Sequence, residues 1–382
     1  MKIGITCYPT YGGSGVVASE LGKSLAERGH EVHFISSSLP NRIFELTDRI
    51  RFHEVDVMDY PLFEYAPYCL ALATRMAEVA EQENLDLLHV HYAIPHSISA
   101  YLAREMLAER RRLPIATTLH GTDITLVGRN HSYLPITRFG IRQSDGVTAV
   151  SRYLKSATQR EFCCDCEIEV IPNFIDGNVF QRRFSQELYQ RFAPDGERIL
   201  VHLSNFRPVK RVQDVVKVFF GIQKSVPSVL LLLGDGTERS NVEFLVRELG
   251  INHKVFFIGK MNKPAEYLSI SDLMILPSEL ESFGLAALEA MACEVPVIAT
   301  RVGGLPELVE AGQVGCLAPV GAIDEMVRCG IELLTDEKRL RSFGAEARRR
   351  ALERYDRDQI VPQYEAFYRK LVNGDIAKAD CP

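Results

Sequence analysis

The sequence predicts an α/β chain of two Rossmann-like domains, each a doubly wound parallel sheet with helices on both faces. Three observations carry this. Short apolar runs alternate with helical stretches of roughly 10 to 18 residues, the βαβ pattern of sheets buried on both sides. The series restarts after "IPNFIDGNVF" (171–180), a Pro/Asn/Gly-bearing link into a polar segment. The length, 382 residues, suits two ordinary domains better than one.

In chain order, strands are expected at 2–6, 32–35, 87–90, 115–119, 147–150 and 168–171. A second series falls at 199–203, 229–233, 255–258, 273–276 and 297–299. The domains divide at 1–172 and 173–355. A last helix, about 356–371, needs an apolar surface for Ile360, Tyr364, Phe367 and Leu371. It is expected to pack back on the first domain, so that 356–382 returns to it. Ligands of parallel sheets sit at the carboxyl ends of the strands, so the two domains should face a shared cleft.

Composition narrows the partners. The chain is 46% hydrophobic and 25% charged, with a net charge of −6, which recommends neither nucleic acid nor an anionic membrane. No apolar run reaches membrane-spanning length, and "MKIGITCYPT" reads as a first strand rather than a signal peptide. Nine cysteines, an odd number scattered through apolar segments, suit a reducing cytoplasm. The cluster Cys163, Cys164, Cys166 lacks a fourth ligand at zinc-like spacing and is read as incidental.

The first loop, "YGGSGVVA" (11–18), formally matches the dinucleotide fingerprint. Two features oppose that reading. Gly13 lies six residues beyond Cys7, so the turn is wide, and Ser36-Ser37-Ser38 stands where an acidic ribose ligand is expected. The loop suits an anion instead: small residues let the amides of Gly13, Ser14 and Gly15 approach a ligand at a helix start.

"ESFGLAALEA" (281–290) places Glu281 on a loop and Glu289 in a helix that starts near "SFGL". Within one helix the two would be roughly 12 Å apart along the axis and about 80° apart around it, too far for an acid/base pair. They can bracket an elongated ligand whose phosphate meets the free amides between them. Spacing alone equally allows a buried amphipathic helix with an exposed glutamate at each end. "LSNFRPVKR" (203–211) sets Arg207, Lys210 and Arg211 at a strand's carboxyl end, where they could neutralise a departing diphosphate.

"ESFGLAALEA", "SNFRPVKR", "LLLGDGTE", "IPNFID" and the "GGSG" loop together resemble the family-4 retaining glycosyltransferases, which have two Rossmann-like domains (the GT-B fold). "CYPTYGGSG", "HYAIPH" and "LHGTDIT" resemble more specifically a malate-accepting branch of that family. The resemblance extends from the first strand to about residue 370. It implies transfer of N-acetylglucosamine from UDP-GlcNAc to the hydroxyl of L-malate, with retention, as the first step of bacillithiol synthesis. The first domain would then lie on the acceptor side and the second would bind the nucleotide sugar.

By the same resemblance, Glu289 would hold the ribose and Glu281 the donor sugar's hydroxyls. Phe283, Gly284 and Leu285 would meet phosphate or sugar through their backbone, with Gly13 and Gly234 also on the donor side. Arg207 and Lys210 would stabilise the departing UDP, and His120 would sit beside the reacting carbon. Ser14, Tyr92, Thr118 and Asn173 are candidates for the malate pocket, because two carboxylates need several donors.

Two departures stand out. Asn205 occupies a position where many members carry arginine, with Arg207 two residues later, as in the malate-accepting branch. Glu294 replaces a glycine expected at a helix C-cap. Arg129 and His131 fit no pattern. The arginine runs 110–112 and 348–350 read as solvated helix ends.

Without an obvious nucleophile, retention suggests front-face substitution, in which positioning and charge stabilisation do the catalysis. A double displacement through Glu281 is the weaker option. Asp123 either orients the His120 loop or caps a helix. No cofactor beyond the donor substrate is expected, and no metal site is assigned. Asp356-Arg357-Asp358 opens a helix, and His89 and His91 share a strand face as packed or hydrogen-bonded residues. A homo-oligomer stays open. Two other functions remain: a related transferase with an inositol phosphate or glycan acceptor, and a non-catalytic nucleotide-sugar-binding protein.

Overall fold

The computed structural model describes residues 1–10, 12–40, 42–43, 47–58, 65–162 and 166–375. Cys163 and Cys164 lie outside them. The chain forms two compact units, Met1–Pro172 with Ile360–Pro382, and Asn173–Gln359.

In the first unit the strands are β1 (Lys2–Thr6), β2 (Glu31–Ser36), β3 (Ile50–Glu54), β4 (Leu87–His91), β5 (Ile115–Leu119), β6 (Gly146–Ala149) and β7 (Ile168–Val170). They make one parallel sheet in the order β3-β2-β1-β4-β5-β6-β7. The second unit holds β8 (Arg198–Leu203), β9 (Ser228–Leu233), β10 (Val255–Gly259), β11 (Leu273–Leu276), β12 (Val297–Thr300) and β13 (Gly315–Ala318). Its parallel order is β10-β9-β8-β11-β12-β13. Both sheets are doubly wound, as the alternation predicts. Strand order reverses between β1 and β4 in one and between β8 and β11 in the other, the two places where loops part and a ligand fits.

Two strands escape the sequence reading. β3, "IRFHE", is an edge strand in which only Ile50 is buried, the rest being half-buried or exposed, so it lacks the continuous apolar run of a central strand. β13, "GCLA", is four residues long, and its glycine is required: a Cβ on Gly315 would lie 1.9 Å from the Val297 carbonyl oxygen.

The last helix, Arg357–Asn373, buries Ile360, Val361, Tyr364, Phe367, Tyr368 and Leu371 along one stripe, as its spacing demands. Within the first unit Phe367 and Leu371 close over Gly146, whose missing side chain makes the room. Glu365 is buried beneath them and accepts from Arg28 (3.2 and 3.1 Å) and His30 (2.8 Å), so its charge is compensated. Asp356, at the turn before this helix, accepts from the amides of Gly177 (3.1 Å) and Asp358 (2.9 Å), a capping role.

Three expectations change. Arg348 and Arg350 are not solvated: Arg348 donates to the carbonyls of Phe180 (3.0 Å) and Ala292, and Arg350, 7% exposed, binds Glu310, Gln313 and Glu346. Arg111 likewise donates to the Ala80 carbonyl at 2.9 Å and to that of Leu85. Cys316 and Cys329, expected as separate thiols, form a disulfide between β13 and the helix Ile323–Thr335. Glu294 caps the helix Leu285–Ala292 itself, taking a left-handed backbone (φ 61°).

Among the described residues, no helix is long and apolar enough to cross a membrane.

Candidate active site

In the second unit the site grows from the carboxyl ends of β8 and β11, on either side of the order reversal. The loop after β11 carries Glu281, and the loop after β8 carries Lys210. Lys210 Nζ donates to Glu281 Oε1 at 2.6 Å, and Ser278 Oγ donates to the same oxygen at 2.9 Å. Ser278 is fixed in turn, since its carbonyl accepts from Thr300 Oγ1 at 2.5 Å. The Glu281 backbone is clamped too. Its carbonyl accepts the Gly304 amide at 2.9 Å, and a Cβ on Gly303 (φ 56°) would lie 1.8 Å from that oxygen. A carboxylate held by two donors and a fixed backbone is preorganised, with its second oxygen left for other hydroxyls.

Beneath this pair lies His202, which mid-strand placement disguises as core. Its Nδ1 must donate to the Ile275 carbonyl (2.8 Å), which leaves Nε2 to accept from Ser204 Oγ (2.8 Å). Burial pushes its pKa down to about 4, so the ring is neutral at pH 7 and adds no charge beside Lys210 and Glu281. Gly234 has φ 116°, and a Cβ there would lie 1.8 Å from the Ser204 carbonyl oxygen. Only glycine lets the β8 and β9 loops touch.

The helix Leu285–Ala292 starts at Gly284 in a left-handed conformation (φ 99°) with no side-chain cap, so its first amides have no intrahelical acceptor. Phe283 is buried with its ring edge-on to Tyr355, 5.5 Å between centroids. Glu289 is 4% exposed, and the side chain of Glu281 only 11%. The exposed-glutamate reading of "ESFGLAALEA" is therefore excluded. Arg207 is exposed, with no ion partner among the described residues, at the start of the turn Pro208–Lys210. Arg211 turns away to pair with Asp214 at 2.6 Å.

In the first unit a second cluster of polar side chains forms at that sheet's own reversal, between β1 and β4. Ser14 Oγ lies 2.8 Å from Tyr92 OH, joining the glycine loop to the loop after β4. Tyr92 has φ 92°, a left-handed backbone that costs a non-glycine residue about 1–3 kcal/mol. Tyr8, Tyr92, His96 and His120 cluster, with ring centroids 5.4 Å (Tyr8–Tyr92), 4.6 Å (Tyr8–His96) and 5.4 Å (Tyr92–His120) apart. His120 Nε2 meets His91 Nδ1 at 2.8 Å. Burial, with neighbouring His96, lowers the His120 pKa to about 3, so this ring too is neutral.

Asp123 orients the loop. Its Oδ1 accepts from the Gly121 amide and its Oδ2 from the Ala93 amide, both at 2.9 Å, tying the His120 loop to the loop after β4. Burial raises its pKa to about 6 against these bonds.

Thr118 is not brought to this cluster. It is fully buried beneath it, its hydroxyl shared with His89 Nε2 and Thr148 Oγ1, both 2.7 Å away. The sheet's pleat turns it toward the last helix, where Tyr368 OH meets His89 Nδ1 at 2.7 Å. Asn173 belongs to the second unit and is buried, its Oδ1 without a partner among the described residues. Gly13 opens the helix Gly13–Glu27, whose Gly12 N-cap offers no side chain. Arg129 pairs with Glu161 at 2.5 Å, and His131 is exposed.

Comparison with known proteins supplies the family. The model of Glycosyltransferase Family 4 matches residues 11–178, and that of Glycosyl transferases group 1 matches 185–350. The chain is 52% identical over 376 residues to the N-acetyl-alpha-D-glucosaminyl L-malate synthase of Bacillus anthracis, covering 98% of each. The chain belongs to glycosyltransferase family 4. This glycosyltransferase is also 26% identical over 302 residues to a GDP-mannose-dependent alpha-(1-6)-phosphatidylinositol monomannoside mannosyltransferase of Mycolicibacterium smegmatis, covering 74% of the chain and 76% of the relative. Two solved structures share its GT-B fold at TM-score 0.82 and 21% identity. They are a sucrose-phosphate synthase from Thermosynechococcus elongatus (98% and 100% covered) and the Anabaena protein HepE in complex with UDP-glucose (97% and 100% covered).

Proposed function

We propose that this glycosyltransferase moves N-acetylglucosamine from UDP-GlcNAc to the hydroxyl of L-malate, with retention at the anomeric carbon. The product would be the first intermediate of bacillithiol synthesis in the cytoplasm. The observation that carries this is the 52% identity, across 98% of both chains, with an enzyme named for that product.

The side chains give the reaction its parts. The uncapped amides at Leu285 and the Arg207 guanidinium take the diphosphate, and Lys210 offsets the charge that grows on the leaving oxygen. Glu281 accepts the sugar's hydroxyls through the oxygen that Lys210 and Ser278 leave open, and Glu289 accepts those of the ribose. Glu281 is a poor nucleophile in this setting, because its donors stabilise the carboxylate and hold it in place. Front-face substitution follows: the glycosidic C–O bond to UDP breaks as malate's oxygen attacks the same face, and the leaving phosphate oxygen takes the malate proton. Neutral His120 hydrogen-bonds the transferred sugar, while Ser14 and Tyr92 bind the acceptor.

The test is UDP release from UDP-GlcNAc with and without L-malate, with inositol 3-phosphate as rival acceptor and NMR of the product's anomeric proton. Malate-dependent release and an α-linked product are expected. UDP release that ignores malate, or that prefers the inositol phosphate, would overturn the assignment of acceptor.

A further inference from the structure

His33 on β2, His53 on β3 and Glu83 at the end of the helix Tyr68–Glu83 converge on the face of the first sheet that this helix covers. Parallel pairing sets His33 opposite Arg51 and Ile35 opposite His53, so the two histidines are diagonal neighbours on one face. Each of the three residues offers a ligand atom, and these atoms all lie within 4.8 Å of one another.

His33 Nδ1 and His53 Nε2 are 3.0 Å apart, their ring planes only 15° from parallel. A hydrogen bond between two imidazole nitrogens requires one of them to present a lone pair. A tetrahedral cation bound at 2.0–2.1 Å by both would hold them about 3.3 Å apart, close to the separation already present. His33 is fully buried, and its Nε2 has no partner among the described residues. With Nδ1 as the ligand atom, Nε2 carries the ring's N–H, which fixes the tautomer that presents the Nδ1 lone pair to a cation. Glu83 Oε2 accepts from Arg51 Nη1 at 2.7 Å, which leaves Oε1 for a third bond. Arg51 and Arg75 are the cations nearby, and the Arg51 pair is exposed enough to be weak.

We propose that His33, His53 and Glu83 form a binding site for a zinc-class divalent cation, with water as fourth ligand. Two imidazoles and a carboxylate are donors of the borderline kind that zinc takes. The cation would staple the edge strand β3 to β2 and to the helix end. It lies outside the candidate active site and is independent of the reaction proposed for it.

The test is equilibrium dialysis of the chelator-treated full chain against zinc chloride, with Co²⁺ absorption as a geometry probe. One zinc per chain and intense tetrahedral cobalt bands are expected. His53→Gln and Glu83→Gln, both only partly buried, should each weaken binding by at least about tenfold, whereas His253→Ala on the exposed surface should leave it unchanged. Zinc should raise the melting temperature of the wild type but not of His53→Gln, because only the folded site binds it. No bound zinc in the wild type, or equal binding by His53→Gln and Glu83→Gln, would overturn the proposal.

Discussion

Lys210 Nζ sits 2.6 Å from Glu281 Oε1, although 71 positions separate the two residues in sequence. The contact spans the β8/β11 order reversal, joining the residue expected to stabilise the leaving group to the one expected to hold the sugar. Each holds the other in place, so their effects should not add. Lys210→Ala and Glu281→Ala should each lower kcat by about 10²–10³, and the double variant should be little worse than either single one. Independent losses that multiply in steady-state kinetics would show that the pair does not act as a unit.

His91 should position His120 rather than touch substrate. Its Nδ1 makes the hydrogen bond to His120 and its ring stacks on that of His120 (centroids 5.0 Å apart), and an asparagine amide can imitate the hydrogen-bonding atom. His91→Leu should reduce kcat by about 10² with little change in the KM for UDP-GlcNAc, as misplacement of a reacting group does. His91→Asn should recover most of the loss. If both variants behave alike, only packing is at stake.

Glu289 belongs to the donor side in the proposed reading. Glu289→Ala should chiefly raise the KM for UDP-GlcNAc, by roughly tenfold or more for a lost hydrogen bond to a charged group. A variant with normal KM and low kcat would remove the ribose assignment.

Glu294 holds φ 61° where glycine would be at ease. Glu294→Gly should raise the unfolding free energy by about 0.5–1 kcal/mol, because relief of the left-handed strain exceeds the added freedom of the unfolded chain. Urea denaturation would register it as a higher midpoint at unchanged slope.

Acid should unfold the protein well above the pH at which carboxylates titrate. Burial lowers the pKa values of His89 and His120 to about 3 and of His96 and His202 to about 4. The unfolded chain binds these protons near pH 6.5, so the folded state loses stability as pH falls from about 6.5 toward 4. Asp123, raised to about 6, acts in the opposite sense: its burial cost is felt above pH 6 and is relieved below it. Four histidines outweigh one carboxyl. Denaturant unfolding at pH 7 and pH 5 should give a lower free energy at pH 5, with net proton uptake on unfolding; equal stability at both would contradict the neutral, buried rings.

Much of this was legible in one dimension. Alternating apolar runs specify parallel strands, because a strand covered on both faces can spare no polar position. Glu281 on a loop and Glu289 in a helix follow from the Phe-Gly pair between them, and the stripe Ile360, Tyr364, Phe367, Leu371 foretells a helix that must be covered. β3 was hidden because "IRFHE" lies at an edge and keeps polar side chains, and β13 because four residues around a glycine leave no period to read.

What the chain alone determined was therefore which segments become strands and helices, and which loops end at a sheet's working edge. Partners were decided only by the tertiary fold: Lys210 with Glu281, Ser14 with Tyr92, His91 with His120, Thr118 with His89. The physical reason is that periodicity records burial, a property of each residue by itself. A hydrogen bond depends on which strand ends the crossovers bring side by side, and that order is settled only when both sheets are assembled.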